Sequence, residues 1–157
     1  RQPRRVFEIG TFNGESTRIL ARSAPAAEVF TLDLAPEGET AATVEAERAN
    51  VRRHGVGSRF QGLAEAERIT QLLGDSRSFD FSPWAGTIDL VLVDAGHEWD
   101  AVAADTRTAQ ALLAPGGVIV WDDYMTTWPD VIRAVDACAL PTFHLARSDF
   151  AIHDSRA

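Results

Sequence analysis

The sequence predicts an α/β protein: an open, doubly wound, mostly parallel sheet that ends in an antiparallel hairpin strand. Three observations lead there. Short apolar, β-favouring segments alternate with stretches of helical spacing along the chain. The internal segments run from apolar residues into polar or glycine-rich ends, as strands do when their carboxyl ends share one edge. The last two apolar segments, Phe143–Ala146 and Phe150–His153, are separated only by Arg147, Ser148 and Asp149, which is short enough for a hairpin.

Taken in order, Arg1–Arg5 is a polar lead-in and Val6–Gly10 the first strand. Glu15–Ser23 reads as a short helix with Ile19 and Leu20 on its inner side, closed by Pro25. Val29–Leu34 (VFTLDL) is a second strand ending beside an acid. Thr40–His54 is helical in composition and Gly55 stops it. Val56–Glu67 is loop plus a helical turn, and Arg68–Leu73 a third strand leading into Gly74-Asp75-Ser76. Phe79–Gly86 places three aromatics beside a proline and a glycine, an irregular and partly buried connection. Ile88–Val93 (IDLVLV) is the clearest buried strand and ends at Asp94. Glu98–Leu113 follows as a helix with Val102, Ala109, Leu112 and Leu113 on one face. Ala114-Pro115-Gly116-Gly117 ends that helix and turns the chain into Val118–Trp121, a strand closing on Asp122-Asp123-Tyr124. Pro129–Ala139 is a helix with Val131, Val135 and Cys138 in one stripe.

Composition narrows the function. A chain of 157 residues is one domain, large enough to bury a core. Net charge of −8 and a pI near 4.9 argue against nucleic acid or an anionic membrane surface as partner. No apolar run has membrane-spanning length and no signal-peptide pattern is present, so a cytoplasmic protein is expected. The single Cys138 excludes an intramolecular disulfide and a multi-cysteine metal site. All 15 basic residues are Arg, a coding bias. Because the chain starts at Arg1 directly on the first strand, a native N-terminal segment is expected to be missing. Oligomeric state, including a homo-oligomer, is left open.

The stretch around which the rest is organised is Val6–Thr17, VFEIGTFNGEST. A strand running through glycines into a helix N-terminus turns backbone N–H groups toward a cleft. The spacing is Gly-x-x-x-Gly with Glu8 two residues ahead, not the Gly-x-Gly-x-x-Gly of dinucleotide enzymes, and this disfavours an NAD-dependent oxidoreductase. An acid at the strand tip repels a pyrophosphate and suits a ligand with a cationic end. Gly10–Gly14, Asp33, Asp75, Asp94–His97 and Asp122–Asp123 all follow strands and converge on one edge of the sheet.

EIGTFNGEST at Glu8–Thr17, Asp33, GDS at Gly74–Ser76 and VDAGHEWDAVAADTRTAQALLAPGGVIVWDDY at Val93–Tyr124 resemble the class I S-adenosylmethionine-dependent methyltransferases. The likeness is nearest to bacterial small-molecule O-methyltransferases. It implies a Rossmann-like sheet of seven strands with the last antiparallel, and S-adenosyl-L-methionine as cofactor. It carries over Glu8, Gly10, Thr11, Phe12 and Gly14 to the methionine half, with Glu8 facing the aminoacid or sulfonium end. Asp33 then accepts from both ribose hydroxyls, since an ionised carboxylate takes several hydrogen bonds. Asp75 and Ser76 sit beside the adenine, with Asp75 accepting from its exocyclic amine, and Asp94 faces the methyl group and the acceptor. Metal-dependent O-methyltransferases add a carboxylate set that Asp94, Asp122 and Asp123 match. This implies Mg²⁺ or another divalent cation, hard ions suited to oxygen ligands.

Each residue also has a plainer reading. The glycine loop can be a tight strand-to-helix turn, Asp33 a solvated strand end, and Asp75 a turn or cap residue. Asp122 and Asp123 can cap a turn, and strand alternation would point them to opposite faces. His97 is either a catalytic base or a cap for the helix at Glu98. Trp84, Trp99, Trp121 and Trp128 read as core or cleft wall, with Tyr124 and Trp128 near an acceptor. His54, His144 and His153 receive no role, and Cys138 is a small core residue. The function implied is O-methylation of a small hydroxylated acceptor, with Asp94 and His97 catalytic. The alternative is a cofactor-binding module without activity of its own.

Overall fold

The computed structural model describes residues 2–35, 49, 51 and 53–156. Strands β1 (Arg5–Ile9), β2 (Glu28–Asp33), β3 (Ile69–Leu73), β4 (Ile88–Val93), β5 (Leu113–Trp121), β6 (Phe143–His144) and β7 (Ala151–Asp154) form one sheet. Its order is β3-β2-β1-β4-β5-β7-β6. The first five strands pair in parallel, and β7 runs antiparallel between β5 and β6. The sheet has the seven strands that the resemblance implies and the antiparallel end that the terminal hairpin predicts. After β3 the chain returns to the centre and builds outward the other way, so the reversal falls between β1 and β4. Their carboxyl ends open a crevice there.

Central parallel strands are covered on both faces, which is why β1 and β4 read as almost unbroken apolar runs. Alternation splits them. Phe7, Ile9, Val91 and Val93 join Leu112, Trp121, Val131 and Val135 in the larger core, beneath helices α2 (Trp99–Leu112) and α3 (Pro129–Asp136). Val6 and Val29 face the other way, against Ala21 and Ala24 at the end of α1 (Glu15–Ser23). The Arg68 guanidinium donates to the Ala21, Ala24 and Ala27 carbonyls, supplying cations and donors where a helix C-terminus lacks them. Phe79, Phe81 and Trp84 fold their irregular connection onto Phe7 and Phe30, with ring centroids 5.1–6.1 Å apart.

Several local expectations change. Ile19 is 53% exposed, and the buried side of α1 is Thr17 and Ala21, one turn apart, with Leu20 partly covered. Strand β5 begins at Leu113, not Val118. Helix α2 runs directly into pairing with Ile88, and the register jumps before Leu90 meets Val118, so Pro115 and Gly116 are accommodated in an irregularity of the ladder. The helix expected over Thr40–His54 falls largely outside the described residues. Ala49, Val51, Arg53 and His54 are helical, and the Gly55 N–H bonds the Val51 carbonyl as the chain turns left-handed. No described helix is long and apolar enough to cross a membrane.

Candidate active site

A cleft of about 670 Å³ lies over the carboxyl ends of β1–β4. Its floor is the glycine loop. Gly10 has φ +109°, and a Cβ there would stand 1.8 Å from the Asp94 carbonyl oxygen, so β4 approaches too closely for any side chain. Gly14 at the head of α1 has φ +84°, and a Cβ would meet the Phe60 ring at 2.6 Å. The loop is braced from outside: the Gly57 N–H donates to the Phe12 carbonyl (2.9 Å) and the Arg59 N–H to that of Asn13 (2.8 Å). These braces come from Val56–Glu67, where nothing in the local sequence pattern signals them.

Asp33, at the end of β2, joins this loop to the next strand. One carboxylate oxygen accepts the Phe12 N–H and the other the Leu34 N–H (2.7 Å). Burial holds its pKa above the ordinary carboxylate value in spite of these donors. Asp33 lines the cleft, and an ionised carboxylate accepts several hydrogen bonds, which suits a vicinal diol. Gly10, Thr11, Phe12, Asp33, Asp75, Ser76, Asp94 and His97 all line the cleft, as the sequence places them.

Glu8 and Gly14 do not. Gly14 acts through backbone shape. Glu8 is fully buried beneath the loop, where it accepts the hydroxyls of Thr17 and Thr31, while Thr11 and Thr31 share a hydrogen bond of 2.6 Å. Burial pushes its pKa up to about 7, against the opposing effect of the hydroxyls. The expected contact of Glu8 with a ligand's cationic end is therefore replaced by a polar cross-link under the loop. The cleft nonetheless suits a cation: among its described lining residues eight are Asp or Glu against one Arg, Arg77. The volume, the diol-competent Asp33, the backbone-lined floor and this charge fit S-adenosylmethionine.

At the inner end of the cleft, β5 stops at Trp121 and Asp123 turns left-handed (φ +58°), which ends strand alternation. Asp123 thereby faces the cleft and accepts a hydrogen bond from His97 Nε2 at 2.7 Å. The Trp128 indole stacks on the imidazole, with centroids 4.0 Å apart and planes 16° from parallel. Because an ionised carboxylate only accepts, Nε2 carries the proton and Nδ1 is left as the basic nitrogen. Trp128 thus belongs to the site, whereas the Tyr124 hydroxyl turns away to Asp136 (2.8 Å), which raises its pKa.

Asp94, His97, Asp122 and Asp123 border a void of only about 10 Å³. Asp122 turns back to accept the Asp123 N–H (2.7 Å), and Asp123 is engaged by His97. Among the described residues no three His, Cys, Asp or Glu side chains are placed to hold a metal ion. As arranged, Asp94, Asp122 and Asp123 do not fit the divalent-cation site that the resemblance implies, because two of the three carboxylates are turned to other partners.

Sequence reading also missed Asp105. It lines the cleft from α2 and is 2% exposed, and it falls three residues after Val102 on the stripe that continues to Thr106 and Ala109. An acid on the apolar side of a helix is the signal that could have found it.

Residues 7–124 match the family described as Methyltransferase domain. The chain belongs to the class I S-adenosylmethionine-dependent methyltransferases. This methyltransferase domain is 36% identical over 140 residues to a catechol O-methyltransferase of Mycobacterium tuberculosis, covering 88% of the chain and 56% of that relative. It therefore spans little more than half the length of the curated relative it matches. Among solved structures, the SAH-bound methyltransferase of Podospora anserina superposes with a TM-score of 0.62 at 21% identity, over 97% of this chain and 71% of that one. Aeropyrum pernix fibrillarin, with natively bound S-adenosyl-L-methionine, gives 0.59 at 16% identity, over 98% and 66%. At these identities both bear on the fold alone.

Proposed function

We propose that this domain binds S-adenosylmethionine in the cleft and methylates an oxygen of a small hydroxylated acceptor. The observation that carries this reading is the His97–Asp123 pair, a base with its orienting carboxylate, set at the end of a cleft whose floor is the glycine loop. The catechol O-methyltransferase relative supports the choice of oxygen as acceptor atom. When bound, the cofactor supplies an electrophilic methyl group on a sulfonium. The chain's own residues do the rest. Asp33 and the backbone of Gly10–Phe12 fix the ligand's position, which matters because an in-line displacement depends mainly on alignment. Asp123 holds the Nε2 proton and Trp128 the ring plane, so that His97 Nδ1 accepts the acceptor's hydroxyl proton. The acidic lining stabilises a ligand cation before transfer.

The test begins with calorimetric titration of S-adenosylhomocysteine, with NAD as control. A panel of catechols and other small hydroxylated compounds is then assayed for methylation by mass spectrometry, with and without Mg²⁺. Binding of the homocysteine compound and O-methylation that falls in His97→Gln support the proposal. Binding without turnover across the panel favours a cofactor-binding module instead. An absolute need for Mg²⁺ would show that Asp123 leaves His97 to serve a metal.

A further inference from the structure

Glu8 is an ionisable group sealed under the floor of the cofactor cleft, and methyl transfer as described above makes no use of its proton. The side chain is fully buried and its Oε1 has no hydrogen-bond partner. Its Oε2 accepts from the hydroxyls of Thr17 on α1 and Thr31 on β2. Two residues join this network to the cleft. Thr11 bonds Thr31 at 2.6 Å, the Ser16 hydroxyl favours the ionised form of Glu8, and both residues line the cleft.

The elements packed around Glu8 offer it hydroxyls and like charge. β2 presents Asp33, whose carboxylate opposes ionisation, and β4 sets Leu92 beside Glu8 in the ladder, with Asp94 beyond its carboxyl end. On α1, Glu15 and Arg18 pair with each other at 2.6 Å. Glu8 is thus held between its two forms near neutral pH, its pKa raised to about 7 by burial. A group so placed responds to a charge brought into the cleft, because a low-dielectric interior carries the field and no contact is needed. The cofactor and its product differ by one such charge. Methyl transfer breaks the methyl–sulfur bond, leaves the electron pair on sulfur and turns a sulfonium cation into a neutral thioether. The acceptor's hydroxyl proton leaves through His97.

We propose that Glu8 distinguishes cofactor from product: it gives its proton to solvent when the sulfonium enters the cleft and regains one when the thioether replaces it. The inference rests on the cofactor reading above. Its sign is fixed. A ligand cation favours the carboxylate, so the sulfonium complex titrates at lower pH than the thioether complex. Preference for cofactor over product therefore rises with pH through the interval between the two titrations. The part of it due to Glu8 vanishes at low pH, where Glu8 is protonated in both complexes.

The test is calorimetric titration of S-adenosylmethionine and of S-adenosylhomocysteine, without acceptor, from about pH 5.5 to about 8.5 on the chain and on Glu8→Gln. Across that range the affinity ratio of cofactor to product should rise about fivefold more in the unmodified chain than in the variant. His97 and Asp105 line the same cleft but are common to both proteins, so the comparison isolates Glu8. A difference below about twofold, or a steeper rise in the variant, overturns the inference. Should the variant not fold, the Glu8 carboxyl ¹³C resonance of the unmodified chain is titrated in each complex. Displacement to lower pH with the sulfonium supports the proposal, and coincident titrations refute it. If neither compound binds, the cofactor reading falls and the inference with it. Binding of both with a ratio indifferent to Glu8 removes the inference alone.

Discussion

Glu8 gives the sharpest prediction, because its surroundings fix both sign and size. It is fully buried, its Oε1 lacks a hydrogen-bond partner, and its pKa is raised from an ordinary 4.5 to about 7. The folded chain therefore holds this proton more tightly than the unfolded chain. The associated stability is fully present below the unfolded pKa of about 4.5 and is lost as pH rises through about 7. That interval corresponds to about 3 kcal/mol, or a fall in melting temperature of roughly 6–12 °C for a domain of this size. Glu8→Gln keeps the volume and can still bond Thr17 and Thr31, but it does not titrate. The assay is urea unfolding of both proteins at several pH values from about 4.5 to 8.5. Asp105 contributes with the same sign but is common to both, so the difference isolates Glu8. The stability of the variant relative to the original should rise by about 3 kcal/mol across the range. Parallel curves would refute the reasoning and show that Glu8 titrates in the folded chain as it does in the unfolded one.

His97→Gln should lower the methylation rate about 10²–10⁴-fold while leaving S-adenosylhomocysteine affinity within about twofold, since general-base removal acts on the chemical step; calorimetry beside a rate assay separates the two, and an unchanged rate excludes His97 as the base. Gly10→Ala drives a Cβ into the Asp94 carbonyl at a φ of +109°, so cofactor binding should be abolished and stability should fall by about 2–3 kcal/mol or more, read by calorimetry and thermal melting. Asp33→Asn removes a carboxylate that holds the Phe12 N–H and faces the cleft, and should weaken S-adenosylhomocysteine about 10–100-fold, as for loss of charge-assisted hydrogen bonds.

Much of this protein is determined by local sequence. Apolar runs such as Ile88–Val93 can be satisfied only as strands covered on both faces, and their polar ends mark the functional edge before any fold is known. Gly10, Asp33, Asp75, Asp94 and His97 were legible for that reason, because the carboxyl ends of parallel strands come together whatever the helices do. What tertiary structure alone decided is which of those groups face the cleft and what each is bonded to. Glu8 lies next to the glycine loop in sequence, but strand alternation and the threonines of β2 and α1 draw it underneath. Asp122 and Asp123 are adjacent, and only the left-handed turn at Asp123 sends it to His97 while Asp122 folds back. Trp128 and Asp105 reach the site from α3's N-terminus and from mid-α2, positions set by helix packing over β4 and β5. Spacing along the chain places residues on an edge; burial, backbone handedness and helix packing decide which charges meet a ligand and which meet each other.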